Sequence, residues 1–270
     1  MIYVCIPSHD EGPTVGLVLW KIRKVFGEFG REYQLLVADD ASSDRTAETL
    51  EPYAKVLPLT VVRNDRRLGY AGSLESLLRL ALDRSDRPRR DCAVVMHADF
   101  AHGPQFLPDM VRQIESGADL VVAEATLSGE LSRAHRMLRR FAPRLVGAVK
   151  AGAVRDTVSG FVAVRLSSLR LALKDRGDRL LETDGWAANA ELIARLARQA
   201  RRVETVSVVE RHDLKPRPSR IEPWAVAREL WGARRAVKID VQHSVIGPSA
   251  GVERIGFERR AGGERRTRIE

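Results

Sequence analysis

Residues 92–104 read Cys92-Ala93-Val94-Val95-Met96-His97-Ala98-Asp99-Phe100-Ala101-His102-Gly103-Pro104. A short apolar run stops at three side chains able to hold a metal ion or move a proton, then turns at Gly-Pro. Apolar runs of this length mark strands buried on both faces of a parallel sheet. In open α/β sheets, ligands lie beyond the carboxyl ends of such strands. His97 and Asp99 are therefore expected at the lip of a sheet, where a site would form, with His102 as a turn residue.

Outward from this stretch the same pattern recurs. Apolar strands are expected at 2–6, 34–38, 57–62, 119–123, 161–164 and 203–209. Helical periodicity is expected at 14–29, 45–53, 71–82, 104–116, 186–199 and 223–237. Asp44 suits the N-cap of the second helix, because its carboxylate can accept a bond from a first-turn N–H. Strand and helix alternate through the first 125 residues, which predicts an α/β fold with a parallel sheet and right-handed crossovers. The first strand ends in Asp10 and Glu11, the second in Asp39 and Asp40, the third in Arg66 and Arg67, and the fourth in His97 and Asp99. Four consecutive strand ends thus bring charged groups to one sheet edge, which is the pattern of a site.

Composition sets the outer limits. The chain has 270 residues, a hydrophobic fraction of 44% and a charged fraction of 30%, which suits a globular domain with a real core. The formal net charge of +9 suggests acidic partners, whether nucleic acid, anionic lipid headgroups or phosphorylated substrates, and does not by itself choose among them. Cys5 and Cys92 each lie inside an apolar run and are expected as reduced core residues. The N-terminus enters a strand directly, so no signal peptide is expected. No apolar stretch approaches the roughly 20 residues needed to span a bilayer. Residues 131–150 mix apolar positions with five Arg and one Lys, which fits either a helix on an anionic surface or an ordinary surface helix.

The chemistry of the edge narrows the choice. No GxGxxG follows the first strand and no GxxxxGK[ST] occurs, which disfavours dinucleotide oxidoreductases and P-loop enzymes. Carboxylates at the first two strand ends suit a nucleobase N–H or ribose hydroxyls. Asp99 suits a divalent ion on a diphosphate, and basic groups at the third strand end and in 211–220 suit phosphate oxygens.

The ordered motifs resemble family 2 glycosyltransferases of the GT-A fold. Ile6-Pro7-Ser8-His9-Asp10-Glu11 is similar to their P-x-Y/H-N/D-E start, and Val37-Ala38-Asp39-Asp40-Ala41-Ser42-Ser43-Asp44-Arg45-Thr46 to V-D-D-x-S-x-D-x-T. Arg63-Asn64 through Leu68-Gly69-Tyr70 resembles R-N-x-x-x-L-G, and His97-Ala98-Asp99 stands in the place of D-x-D. Asp156-Thr157-Val158-Ser159-Gly160-Phe161 resembles D-x-T-S-G-F, and Gly185-Trp186 with Glu191 and Arg195 resembles G-Y-x-F-x-x-E-x-x-x-R-A. Lys215-Pro216-Arg217-Pro218-Ser219-Arg220 stands where the dolichol-phosphate mannose synthase-like branch has R-x-x-G-x-S-K. The likeness covers roughly residues 1–220.

The resemblance implies a Rossmann-like, mostly parallel sheet flanked by helices over 1–222. A C-terminal amphipathic helix region is expected at 223–246 and a basic, fraying tail at 247–270. It implies inverting transfer of a sugar from a UDP-, GDP- or dTDP-sugar, with Mg²⁺ or Mn²⁺ on the diphosphate, to a polyprenyl phosphate. Pro7, Ser8, Asp10, Glu11, Asp39, Asp40 and Arg67 are implied for the nucleotide, Asp40 bonding the base, and Asp99 with His97 for the metal. Ser159, Arg211, Lys215, Arg217 and Ser219 are implied for phosphate or acceptor. If the acceptor is a hydroxyl, Asp184 and Glu191 are the candidate bases. Glu191 also fits a plain helix-face pair with Arg195 at i+4.

The chain departs from the pattern in three places. His97 replaces the first Asp of D-x-D, so either the metal preference shifts toward Mn²⁺ or only Asp99 binds it. Ala101 stands where the lipid-phosphate branch often has Gln, and Ala123-Glu124-Ala125-Thr126 where it has G-S-R-Y. The expected location is cytoplasmic, peripheral to the inner membrane face, with no nucleic-acid partner. A soluble metabolite or surface glycan as acceptor, and a non-catalytic module on anionic surfaces, are the rival readings.

Overall fold

A computed structural model describes residues 1–128, 133–146, 154–176, 179–211 and 222–234. Seven strands form one sheet: β1 (Ile2–Ser8), β2 (Tyr33–Asp39), β3 (Leu59–Arg63), β4 (Cys92–Val95), β5 (Leu120–Ser128), β6 (Val162–Arg165) and β7 (Val203–Arg211). Their order is β3-β2-β1-β4-β6-β5-β7. All strand pairings are parallel except the two made by β6, which runs against both β4 and β5. The helices are α1 (Gly12–Phe29), α2 (Thr46–Ala54), α3 (Gly69–Arg84), α4 (Leu107–Glu115), α5 (Arg133–Val146), α6 (Leu166–Arg176), α7 (Gly185–Gln199) and α8 (Pro223–Gly232). The expected elements are all present within a few residues. The helix α6 was not anticipated, because Leu166–Arg176 carries only weak helical amphipathicity.

Alternation along the strands builds two cores, one on each sheet face. Tyr3, Cys5, Leu36, Ala38, Ala93 and Val95 pack with Leu74, Leu77 and Leu78 of α3 and with Ala188, Leu192 and Leu196 of α7. Val4, Ile6, Leu35, Val37, Val94 and Met96 pack on the other face with Val15, Val18, Leu19 and Ile22 of α1 and Met110 and Ile114 of α4. Cys5 and Cys92 are free thiols, one in each layer, and burial pushes the Cys92 thiol up to about 12. Pro7 is placed where its missing N–H costs no ladder bond to β4, because the β1–β4 pairing ends at Cys5 and Val95.

The topology fixes where a ligand can sit. From β1 the chain steps outward through β2 to β3, then returns to place β4 on the other side of β1. The crevice beyond the carboxyl ends of β1 and β4 is therefore a topological switch point. Asp10 follows β1, and His97 and Asp99 follow β4.

Candidate active site

Two loops are laced together at the ends of β1 and β2. Asp10, in a left-handed backbone conformation with φ 54°, accepts bonds from Ser43 N (2.8 Å), Ser43 Oγ (3.2 Å) and Asp44 N (3.3 Å). The Ser43 N–H bond leads the groups that hold its carboxyl below the ordinary range. Asp44 accepts from Gly12 N (3.1 Å) with one oxygen and Thr46 N (2.9 Å) with the other, so it joins the starts of α1 and α2. Helix α2 begins at Thr46 with Arg45 rather than Asp44 at the N-cap position, and Asp44, one residue earlier, still accepts from the Thr46 N–H. Glu11 donates its N–H to Thr46 Oγ1 (2.9 Å) and accepts from Thr14 Oγ1 (2.7 Å).

The paired aspartates at the end of β2 divide their work. Asp40 Oδ1 accepts from Leu68 N (2.7 Å) and Asn64 Nδ2 (2.9 Å), and Oδ2 accepts from Gly69 N (2.9 Å). Burial raises the Asp40 carboxyl, but these donors and the Ser73 hydroxyl outweigh it and hold it low. Asp40 thus fastens the β3–α3 loop. Asp39 is fully buried, and its Oδ1 accepts from Ser42 N (3.1 Å). Its Oδ2 has no hydrogen-bond partner and lies 3.8 Å from Arg63 Nε. Ser8 Oγ also lacks a hydrogen bond, and Ser8 is paired in register with Asp39. Two polar atoms without a hydrogen bond therefore stand on neighbouring strands at the same level of the sheet, Asp39 Oδ2 having only its long ion pair with the exposed Arg63. Arg67 is exposed in the β3–α3 loop that Asp40 fastens.

Beyond β4 the rings of Tyr70, His97 and His102 form a column. Tyr70 and His97 stack at 5.4 Å between centroids and 20°, and His97 and His102 at 6.3 Å and 26°. The Tyr70 hydroxyl donates to Asn189 Oδ1 (2.7 Å), tying the column to α7. Gly160 is required here: a Cβ at that position would lie 1.8 Å from His97 Nε2. The His97 edge carrying Nε2 therefore lies against the Gly160 backbone. Asp99 is half-buried, and its Oδ1 accepts from Ala101 N (2.9 Å) while Phe100 takes φ 59°.

His102 is not an exposed turn residue. It is 2% exposed, forms a bridge to Glu210 of β7, and both ring nitrogens lack hydrogen bonds. Burial lowers its pKa to about 4, so it is neutral near pH 7. Next to it lies a buried ionic group. Arg139 of α5 bonds Asp156 Oδ2 (2.8 Å), Glu210 Oε2 (2.9 Å) and Val158 O (3.3 Å), and lies over the Trp186 ring at 5.3 Å. Burial raises the Asp156 carboxyl, and Arg139 opposes that rise. Glu124, from the departing Ala-Glu-Ala-Thr segment, accepts from Arg155 N (2.6 Å) and Asp156 N (3.2 Å). Composition hid this group. By sequence Arg139 is one of several arginines in 131–150, Glu124 stands in a segment that departs from the family pattern, and Glu210 belongs to no motif.

The two candidate bases are placed differently. Asp184 is exposed and caps α7, with Oδ1 accepting from Gly185 N (2.9 Å) and from Ala71 N (2.8 Å) in the first turn of α3. Its Oδ2 approaches Gly69 so closely that a Cβ there would lie 2.6 Å away. Both Asp184 and Asp99 act on the buried Tyr70 hydroxyl, whose pKa is raised first by burial and then by Asp184. Glu191 lies below the lip, fully buried and ion-paired to Arg195. Its Oε2 accepts from Glu182 N (2.9 Å), Thr183 N (2.9 Å) and Thr183 Oγ1 (2.8 Å). Ser159 is fully buried too, and its hydroxyl accepts from Phe161 N (3.3 Å). The side chain of Arg211, and Lys215, Arg217 and Ser219, lie outside the described residues, as do the whole of the expected 247–270 tail and residues 235–237 of the expected 223–237 helix.

Residues 3–170 match the model of glycosyl transferase family 2. The chain belongs to that family. It is 26% identical over 170 residues to a dolichol-phosphate mannosyltransferase of Pyrococcus furiosus, covering 61% of this chain and 46% of that protein. It is 24% identical over 147 residues to an undecaprenyl-phosphate 4-deoxy-4-formamido-L-arabinose transferase of Pseudomonas fluorescens, covering 54% of this chain and 40% of that one. The chain thus spans less than half the length of either relative. Glucosyl-3-phosphoglycerate synthase from Mycobacterium tuberculosis, solved with Mn²⁺ and UDP-glucose, superposes with TM-score 0.60 and 19% identity over 86% of this chain and 77% of that one. S. aureus TarS 1-349 with UDP-GlcNAc gives 0.57 and 16% over 81% and 59%. The fold is that of the GT-A glycosyltransferases.

Proposed function

We propose that this family 2 member transfers a sugar, with inversion, from a nucleotide diphosphate donor to a polyprenyl phosphate. The observation that carries the donor half is the pair Ser8 Oγ and Asp39 Oδ2, unsatisfied at one level of adjacent strands beside the switch point. A buried carboxylate oxygen with a long ion pair to an exposed arginine and no hydrogen bond is costly, and a nucleobase N–H or a ribose hydroxyl would supply the missing bond. Asp40 is then a brace for the loop that carries Arg67, because its own oxygens are already occupied.

The donor set fits a divalent ion held largely by its ligand. Mg²⁺ and Mn²⁺ sites on phosphates commonly use one or two carboxylates, the phosphates supplying the rest. Asp99 supplies one, and among the described residues no cluster of three or more His, Cys, Asp or Glu could hold a metal alone. Asp99 is the ligand in this reading, and His97 is a wall of the site, since its Nε2 edge faces Gly160. Bound at Asp99, the ion would offset charge on the departing nucleoside diphosphate.

The acceptor half rests on chemistry and on the relatives. A phosphate monoester is already anionic at neutral pH, so its oxygen can attack the anomeric carbon as the bond to the diphosphate oxygen breaks. No protein base is then needed, which agrees with an Asp184 whose Oδ1 serves two helix N-termini and with a Glu191 closed off from the lip. Both lipid-phosphate relatives carry names of that acceptor class.

Thermal melts with UDP-, GDP- and dTDP-sugars, each with and without Mn²⁺, test the donor site. One donor is expected to raise the melting temperature, more so with metal, and Asp99→Asn is expected to abolish the metal-dependent part. Stabilisation by none of them sinks the reading. Assays with a short-chain polyprenyl phosphate and with soluble sugar alcohols then separate the acceptors.

A further inference from the structure

We propose that α5 and α8 together form a docking surface for an anionic lipid bilayer. The helices pack against each other. Leu138 and Ala142 of α5, and Leu230 of α8 with Ala233 just after it, turn inward and are buried. The outward faces are unusual for a water-facing surface. Met137 is 60% exposed, Phe141 42%, Trp224 85% and Trp231 59%. Trp224, Arg228 and Trp231 fall at i, i+4 and i+7, a single stripe along α8. Arg133, Met137, Arg140, Phe141 and Arg144 share the outward face of α5 by the same spacing.

Charge selects the occupant. Helix α5 contains no acidic residue, and α8 contains only Glu229. Arginines lie against the outward rings: Arg144 is 5.6 Å from the Phe141 centroid and Arg234 4.4 Å from that of Trp231. Indole and phenyl rings flanked by guanidinium groups match the boundary between acyl chains and anionic headgroups, where rings partition and arginines meet phosphates.

The inner face of α5 shows why this surface is well placed. Arg139, on the opposite side of the helix, makes the buried pairs with Asp156 and Glu210 that border His102 and the Ser159–Gly160 turn. One helix diameter, about 10 Å, therefore separates the docking face from an edge of the site. The inference deepens the lipid-phosphate reading and rests on it for its purpose, while its test reads lipid binding and not sugar transfer.

Co-sedimentation with vesicles of phosphatidylcholine alone and of phosphatidylcholine with phosphatidylglycerol tests it, with tryptophan fluorescence recorded on the same samples. Binding to the anionic vesicles, weakened by salt and accompanied by a blue shift, is expected. Trp224→Ser with Trp231→Ser is expected to weaken it about tenfold or more, and Arg140→Glu with Arg144→Glu comparably. Trp20→Ser is the control, a tryptophan on α1 that is 55% exposed. Melting temperature and nucleotide-sugar binding are read for every variant, so a folding defect or a failed donor site is seen separately. Absence of anionic-vesicle binding, equal loss in the Trp20 control, or a protein dimer that the α8 variant dissolves would each overturn the proposal.

Discussion

Glu191→Ala gives the sharpest test of how the Asp184 loop is held. The Glu191 side chain is fully buried and its partner Arg195 is 2% exposed. Deleting the carboxylate leaves a buried guanidinium without its principal counter-charge, which costs about 3–5 kcal/mol. Three bonds to Glu182 and Thr183 are lost as well, although that loop lies near solvent and water can replace part of them. At 2–4 °C per kcal/mol for a domain of this size, melting should fall by roughly 6–20 °C. Glu191→Gln keeps an acceptor for the two N–H groups and should cost less. Glu191→Leu with Arg195→Met removes both charges and should recover much of the loss. Urea unfolding followed by circular dichroism, alongside initial transfer rates, separates a brace from a base. If Glu191→Ala unfolds within about 1 kcal/mol of the parent, or Glu191→Gln abolishes turnover with no change in melting, the reasoning fails.

Three further outcomes follow from the geometry. Gly160→Ala forces the His97 ring to move and is expected to cost about 1–3 kcal/mol and weaken donor binding; His97→Ala in the same chain should restore the melting temperature, and failure to do so would place the clash elsewhere. Asp40, held low in the folded chain, contributes stability that is present above the unfolded carboxyl pKa near 4 and is lost as pH falls through its lower folded value; Asp40→Asn should flatten the urea midpoint between pH 5 and pH 3, and an unchanged slope would refute this. Glu124→Gln removes the charge that receives the Arg155 and Asp156 N–H groups and should cost about 1–3 kcal/mol, measured by the same unfolding.

The fold was legible because strand ends carry a strong pattern. Apolar runs stopping at Asp10, Asp39, Arg63 and His97 mark four parallel strands and one edge. The reversal of β6 was not legible, since Val162–Arg165 has the same composition whichever way it runs. Residue roles were harder still. Asp39 and Asp40 are adjacent and chemically identical, yet one keeps an unsatisfied oxygen and the other is consumed by the β3–α3 loop. That difference depends on groups 24 to 29 residues away, which no local pattern records. The alternative reading of Glu191 as a helix pair with Arg195 at i+4 was available from spacing alone, because that contact is local. The Arg139 group was invisible for the opposite reason: its members come from α5, β7 and the 154–161 turn.

The direction of β6 carries a consequence for how such chains diversify. Strand β5 finishes at the site edge, and β6, running the other way, starts there. Everything between them, including α5, is an excursion that leaves and re-enters the sheet at one place. Such a cassette can be lengthened, shortened or exchanged with little effect on strand register, provided that its anchors to Glu124 and Glu210 survive. Recombination across this junction would leave the ends of β1, β2 and β4 untouched, and chimeras exchanging only 129–153 between family members would test, under the proposed function, whether this segment governs acceptor choice.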